Sequence, residues 1–321
     1  MFKVITKPEE FLVDPPLEMD ITEPTDEIDL YGKKYRMYKD DWKHHVHLKC
    51  TNRCDACCKF CIERSTWNDK EDADAFMEST EEVVSQLRAQ GHFKTLSVTG
   101  GEPTLFCRFG DLLDYAREIK PMLFSVNSNG CGMNIPYLKG KFHGWFNLSK
   151  HAIFDSAVFG RSRCIMKEDI EEFKRDNPDC KVRMQCVLGL PGNGVAAGLA
   201  NLDDVVNFVH MFNDVVDDFS FRSLIIEDCD GEMSDLFRTV RQNLFKGKWC
   251  VQQVIQDYYV YEDFKVPNVK PITISWSNMA LLRKYNETHK DNNFLEEIIV
   301  HPDGAVTGSW NRQTLIIKPA P

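Results

Sequence analysis

Between residues 44 and 245, strand-like runs alternate with amphipathic segments, and this alternation restricts the fold more than any other feature of the chain. The runs lie at Val46–Thr51, Thr95–Thr99, Met122–Asn127, Trp145–Ser149, Val182–Leu188 and Phe219–Ile226. Between them, apolar residues recur at helical spacing: Val83, Val84 and Leu87; Phe109, Leu112, Leu113 and Ala116; Leu202, Val205, Val206 and Val209. Ser79 and Glu82 read as a capping box for the first stripe. Less regular helical segments fall at Ile135–Lys139 and around Ile170 and Phe173. Six strand–helix units in series imply an α/β fold whose strands run parallel with right-handed crossovers. Six is two short of a full eight-fold barrel, so the expected architecture is an open, partial (β/α)6 barrel. Its chemistry should gather in the loops after the C-terminal strand ends.

The flanks read differently. Residues 1–42 form an acidic N-terminal extension containing Pro8, Pro15, Pro16 and Pro24, with a hairpin from Glu27–Leu30 and Tyr35–Tyr38 turning near Gly32. Residues 43–245 are the barrel. Residues 246–321 read as a small, mainly β C-terminal cap, with strands at Val251–Tyr261, Ile272–Trp276, Leu295–Val300 and Ala305–Trp310. His301-Pro302-Asp303-Gly304 is a turn between the last two. This cap is a candidate lid: Trp276, Trp310, Asn311 and Arg312 either face a substrate or simply pack.

Composition narrows the partners. A net charge of −10 argues against nucleic acid, whose phosphates are bound by Lys and Arg. No apolar run is long enough to cross a bilayer, and the first residues lack the apolar stretch of a signal peptide. The expectation is a soluble, cytoplasmic protein.

Five of the twelve cysteines fall between Cys50 and Cys61, a clustering that points to metal. Two registers give Cys-x3-Cys-x2-Cys: Cys50/Cys54/Cys57 and Cys54/Cys58/Cys61. Three thiolates on one loop can hold three irons of a cubane and leave the fourth open. The second register is preferred because Cys50 continues the alternation of the strand, whereas Cys54 onward lies in the loop. It also puts Phe60 beside the last ligand, where its ring can shield the site. A zinc knot of Cys54, Cys57, Cys58 and Cys61 is the competing reading, although zinc usually takes two separated ligand pairs. The second strand ends in Gly100-Gly101-Glu102-Pro103; two glycines allow a close backbone approach to a ligand, and Glu102 adds a charge suited to an ammonium group.

Taken together, these motifs resemble the radical S-adenosylmethionine (SAM) superfamily. The likeness lies in Thr51, Cys54, Cys58, Phe60 and Cys61 after the first strand and Gly100 to Pro103 after the second. It continues in Asn127-Ser128-Asn129-Gly130 after the third strand and Asn147-Leu148-Ser149-Lys150-His151 after the fourth. The resemblance implies one [4Fe–4S] cluster on Cys54, Cys58 and Cys61, with the amino and carboxylate groups of SAM on the fourth iron. It further implies SAM contacts from Gly100, Gly101, Glu102 and Pro103, from Ser128 or Asn129, and from Ser149, with Val187 and Leu188 beside adenine. The chemistry implied is oxygen-sensitive reductive cleavage of SAM to a 5′-deoxyadenosyl radical that abstracts hydrogen from the substrate, as an oxidoreductase or a lyase.

The C-terminal region resembles a SPASM or twitch-type cap without its cysteines: Glu297 to Gly304 matches the start of one, but Trp310 stands where a cysteine is expected. Cys229 and Cys250 are too few and too separated for a second cluster. The expected substrate is a small molecule of nucleoside, sugar or amino-acid type, with an electron donor such as flavodoxin or ferredoxin. A peptide- or protein-modifying enzyme is one alternative, and a non-catalytic zinc-stabilised binding protein the other.

Overall fold

The computed structural model describes residues 2–12, 25–38, 45–61, 70–161, 164–189, 198–223, 234–256, 259–277, 293–295, 297–310 and 316–320. Its strands are β1 (Phe2–Ile5), β2 (Thr25–Leu30), β3 (Lys33–Tyr38), β4 (His45–Lys49), β5 (Thr95–Thr99), β6 (Leu123–Ser128), β7 (Gly144–Ser149), β8 (Cys180–Leu188) and β9 (Asp218–Ser223). The chain continues with β10 (Cys250–Gln256), β11 (Tyr259–Phe264), β12 (Ile272–Ser277), β13 (Ile298–Val300), β14 (Val306–Thr307) and β15 (Ile316–Lys318). The helices are α1 (Ala73–Ala89), α2 (Phe109–Ile119), α3 (Ser156–Phe159), α4 (Lys167–Asp176), α5 (Leu202–Phe212) and α6 (Asp235–Lys246).

The six expected strands, β4 to β9, lie side by side in sequence order and all run parallel, as the series of β/α units requires. The sheet does not stop there. β12 adds in parallel beside β9, and β13 adds in parallel beside β4. The C-terminal strands therefore extend the barrel sheet from both edges, giving the order β1-β10-β11-β12-β9-β8-β7-β6-β5-β4-β13-β14-β15.

Period-2 alternation gives the sheet two different faces. Leu96, Val98, Phe124, Val126, Phe146, Leu148, Val182, Met184, Phe219 and Phe221 are buried in the main core. There Phe146 meets Phe142 and Phe173, and Phe219 and Phe221 meet Phe208 of α5. The intervening residues are mostly polar, among them Ser97, Ser125, Asn127, Asn147, Gln185, Ser220, Thr273 and Ser275, with Leu123, Trp145 and Val187 as apolar members. A filled α/β barrel normally has branched aliphatic side chains there. Here Ser125 Oγ donates to Ser97 Oγ (3.2 Å), Asn127 Nδ2 donates to Ser97 Oγ (3.1 Å) and Asn147 Nδ2 donates to Asn127 Oδ1 (3.0 Å). The concave face is a polar lumen.

The N-terminal hairpin turns through Tyr31 (φ 53°) and Gly32 (φ 74°), the pair of left-handed residues that a two-residue hairpin favours. It packs on α1, where Gln86 Oε1 accepts from Tyr31 N and Gln90 Oε1 from Asp29 N. β1 pairs with β10 at the far edge of the large sheet.

Several sequence expectations need correction. Helix α1 starts at Ala73, capped by Asp72, whose carboxylate accepts from Ala75 N; Ser79 is therefore interior and donates to Gly304 O (2.7 Å) instead of capping. The run Val251–Tyr261 is not one strand but parts of two, β10 and β11, paired antiparallel. Ile135–Lys139 holds only a short 3₁₀ turn, Pro136–Leu138. Trp276 is on the face opposite the lumen, over the Arg241 guanidinium of α6 (5.6 Å to the ring centroid). Trp310 does sit on the lumen side, edge-on to His47 (5.2 Å). Asn311, Arg312, Cys229 and residues 224–226 of the sixth strand-like run lie outside the described residues.

A buried ion pair ties α6 to the edge strands. Arg241 Nε and Nη2 donate to Glu262 Oε2 and Oε1 (2.6 and 2.7 Å), and Gln253 Nε2 donates to Glu262 Oε1 (2.8 Å). Glu262→Ala leaves the Arg241 guanidinium buried without its partner. It is expected to lower unfolding free energy by about 3–5 kcal/mol, read as a fall in the denaturant midpoint.

Candidate functional site

The site forms where the loops after β4, β5, β6 and β7 meet, at the C-terminal ends of parallel strands. The loop after β4 carries the cysteines, and its start is fixed by backbone pairing with the glycine loop after β5. Gly101 N donates to Thr51 O and Glu102 N donates to Arg53 O, both at 2.7 Å. The approach is too close for side chains. A Cβ on Gly101 would overlap Arg53 O and come within 2.8 Å of Asn52 O, and one on Gly100 (φ 146°) would overlap Thr51 O. Both glycines are thus required by the chain that precedes the cysteines, which the sequence reading assigned to ligand approach.

Glu71, just before α1, anchors the same segment from the other side. Its Oε1 accepts from Thr51 Oγ1 (3.0 Å) and from Asn52 N (2.5 Å). No motif marks Glu71; its only signal in the sequence is an acidic residue ahead of a helix cap.

Glu102 is wholly buried. Its Oε1 accepts from Ser128 Oγ (2.7 Å), Thr104 Oγ1 (2.8 Å) and Thr104 N (3.1 Å), while Oε2 accepts from Asn129 N (2.7 Å). Burial raises its pKa, and these donors oppose the rise. The carboxylate thus faces protein donors and fastens the β5 and β6 loops together, whereas the sequence suggested an ammonium partner. Ser128 is used up likewise, donating to Glu102 and accepting from Gly130 N (2.9 Å). Pro103 is buried and opens the short 3₁₀ turn Pro103–Leu105.

Asn129 reaches the cysteine loop. Its Nδ2 donates to Asp55 Oδ1 (2.6 Å) and lies 3.8 Å from Cys54 Sγ, and its Oδ1 accepts from Arg161 Nη1 (2.7 Å). Arg161, absent from the sequence reading, also donates to Asn129 O (2.9 Å) and stacks over Phe159 (4.6 Å). Phe159 O in turn accepts from Cys57 N (2.7 Å). The loop that carries Phe159 is braced by a buried pair, Lys150 Nζ to Asp155 Oδ1 (3.4 Å). Ser149 closes β7 level with Gln185.

The five clustered thiols occupy three environments. Cys50 is buried at the end of β4 and donates to Thr99 O (3.4 Å). Cys57 is exposed and held by its backbone. Cys54, Cys58 and Cys61 are half-buried. Burial pushes the Cys54 thiol up to about 11, with smaller contributions from Glu102, Asp55 and Cys61. Burial likewise pushes Cys58 up to about 12, aided by Cys54 and Cys61. Cys58 thus has both Cys54 and Cys61 as electrostatic neighbours. Ala56 N donates to Cys54 Sγ (3.4 Å), a contact that suits a thiolate. Among the described residues, no three His, Cys, Asp or Glu side chains are gathered closely enough to hold a single ion. A cubane makes a different demand, since each of its thiolates binds its own iron.

Phe60 packs edge-on against His151 (5.2 Å), and His151 Nδ1 accepts from Val187 N (3.1 Å). In the lumen beneath, Asn147 Oδ1 and Gln185 Nε2 are buried with no hydrogen-bond partner among the described residues. One is an acceptor and the other a donor, and such groups are costly unless a ligand or water meets them.

Residues 48–155 match the Radical SAM superfamily. Among solved structures, the fold is similar to Streptococcus suis SuiB bound to S-adenosylmethionine (14% identity, TM-score 0.57), with 84% of this chain and 61% of that one covered. It is also similar to SuiB bound to the precursor peptide SuiA (13% identity, TM-score 0.58), with 87% and 64% covered. The chain thus spans less than two thirds of SuiB, and at this identity the likeness is one of fold. No curated protein matches the chain.

Two outcomes are expected. Gly101→Ala should displace the Thr51–Arg53 backbone and cut reconstituted iron from about four per chain to below about one, by iron and sulfide assay. His151 is neutral in the fold, burial holding its pKa down to about 3. The unfolded chain therefore binds more protons below about pH 6.5, and stability falls as pH drops, by up to about 1.4 kcal/mol per unit. His151→Asn keeps an acceptor but does not titrate, so its denaturant midpoint between pH 7 and pH 5 should fall less steeply than the wild type's.

Proposed function

We propose, from the match of residues 48–155 to the Radical SAM superfamily, that this chain reductively cleaves SAM and acts on a small, polar substrate held in the barrel lumen. The observation that carries the cofactor assignment is the division of the five thiols. Cys58 has Cys54 and Cys61 as electrostatic neighbours on a loop docked at Thr51, Arg53 and Cys57, while Cys50 is sealed in the strand. These three are the proposed ligands of one [4Fe–4S] cluster. Bound there and reduced, the cluster would supply the electron that breaks the S–C5′ bond of SAM and yields the hydrogen-abstracting 5′-deoxyadenosyl radical.

The chain's own contribution is placement and exclusion. The Thr51–Arg53 backbone, gripped by Gly101, Glu102 and Glu71, fixes where the first thiolate stands. Gly100 to Pro103, Ser128, Asn129 and Ser149 are the proposed SAM contacts. Glu102 and Ser128 act by holding the backbone, since their polar side-chain atoms are committed to protein partners. Phe60 and His151 cover the loop on its β7 side and limit access of water. The electron would come from a small donor of flavodoxin or ferredoxin type.

The unpartnered Asn147 Oδ1 and Gln185 Nε2 favour a small polar substrate over an extended peptide. The peptide-modifying alternative draws on the SuiB structure that holds SuiA, and a likeness of 13% identity carries fold alone. The division into an N-terminal extension (1–42), a radical SAM barrel (43–245) and a C-terminal cap (246–321) is kept as a proposal.

The test is anaerobic purification, reconstitution with iron and sulfide, and assay of 5′-deoxyadenosine after dithionite and SAM are added. About four irons per chain are expected, with product abolished in Cys54→Ala, Cys58→Ala and Cys61→Ala but retained in Cys50→Ala and Cys57→Ala. Product surviving loss of Cys58, or bound zinc with no product, would overturn the assignment.

A further inference from the structure

We infer that Arg222 anchors an anionic group, a carboxylate or a phosphate, on the substrate inside the lumen, in the row it forms with Ser275 and Tyr261. The inference rests on the proposal that the substrate occupies this lumen, and it names the substrate's charge.

The placement follows from alternation along β9. Phe219 and Phe221 are buried against Phe208 of α5, so Ser220 and Arg222 take the opposite, concave face. Register puts Arg222 level with Val187 on β8 and with Ser275 on β12, and Ser275 level with Tyr261 on β11. Because β9 runs parallel to β4, Arg222 near its C-terminal end stands at the same end of the sheet as the cysteine loop.

Arg222 is accessible to solvent, yet surrounding protein desolvates it enough to lower its pKa. Its charge is unmatched among the described residues: no carboxylate lies within ion-pair distance. Glu297, an electrostatic neighbour of Tyr261, pairs with His47 (3.5 Å), and two further carboxylates, Asp218 and Asp263, are engaged as well. Asp218 accepts from Arg183 Nε (3.2 Å), and Asp263 accepts from Thr273 Oγ1 (2.9 Å). Arg183 also has the Trp145 ring beneath it (4.5 Å). Among the described residues, the ionisable groups that act on Arg222 are Tyr261 and Tyr259, with Arg183 opposing its charge.

A partly desolvated guanidinium without a counter-charge gains when a ligand supplies one. Its planar fork matches carboxylate and phosphate oxygens in pairs. Ser275 and Tyr261 offer hydroxyls in the same row, so the anion would meet several donors at once. Of the other arginines near the site, Arg161 is committed to Asn129 and Arg53 pairs with Glu71 (3.5 Å). Among the described residues, Arg222 is thus a cation of the lumen with no carboxylate partner, set on its substrate side.

The experiment is phenylglyoxal labelling of the full chain in HEPES, read at Arg222 by peptide mass spectrometry. It is run with inorganic phosphate, acetate or chloride at equal ionic strength, on protein both before and after iron–sulfur reconstitution. Labelling of Arg222 is expected in chloride. Phosphate or acetate should slow it about tenfold, the protection given by an anion filling roughly nine sites in ten. The anion effective at lower concentration tells phosphate from carboxylate. Arg222→Lys keeps the charge but loses the fork, and should bind the protecting anion about tenfold more weakly by calorimetry. Arg222 unlabelled, or labelled equally fast in all three salts, would overturn the inference. A failed radical assignment would appear separately, as absent 5′-deoxyadenosine beside an intact labelling result.

Discussion

Two backbone hydrogen bonds, Gly101 N to Thr51 O and Glu102 N to Arg53 O, are the constraint on which the site depends. They weld the loop after one strand to the loop after the next, at a separation that excludes any side chain on Gly100 or Gly101. Glu102 extends the weld to a third strand by giving its buried carboxylate to Ser128, Asn129 and Thr104. Asn129 and Arg161 carry it to Asp55 and to the segment after β7. Four successive strand ends are thereby locked around one short stretch of chain. A buried carboxylate is tolerable there because it is hydrogen-bonded through both oxygens.

The same parallel sheet produces the lumen. Its outer face meets the helices with Phe and Leu, and its inner face carries Ser, Asn and Gln linked across β5, β6 and β7. A cavity lined this way gains little from collapsing on itself, and it leaves a buried donor and acceptor unmet. The C-terminal strands enlarge the wall, since β12 and β13 join its two edges. Arg222 takes its setting from that extension: without β11 and β12, neither Tyr261 nor Ser275 would stand beside it.

The sequence made the parallel strands, the hairpin at Gly32 and the four loop motifs legible, because each rests on local spacing or on glycine. What it hid was decided by tertiary partners. Ser79 looks like a cap, but Asp72 is available earlier and Ser79 has Gly304 O to bond. Glu71, Asp55 and Arg161 carry no motif; they matter because folding brings them to Thr51 and Asn129. The face of Trp276 could not be read from an isolated apolar strand, and only the register with β9 turns it toward α6. Glu102 was legible as part of the glycine motif, yet its hydrogen bonds were not, since Ser128 and Asn129 come from another loop.

The central claim is that the protein scaffold, ahead of any cluster, holds the cysteine loop in place. The most direct measurement is amide hydrogen exchange at Gly101 and Glu102 in the cluster-free protein. The account predicts slow exchange at both, comparable to the core strands, because their N–H groups are already paired with Thr51 and Arg53. Exchange as fast as in an open loop, slowing only after iron and sulfide are added, would show that the cluster organises the site and would contradict the account.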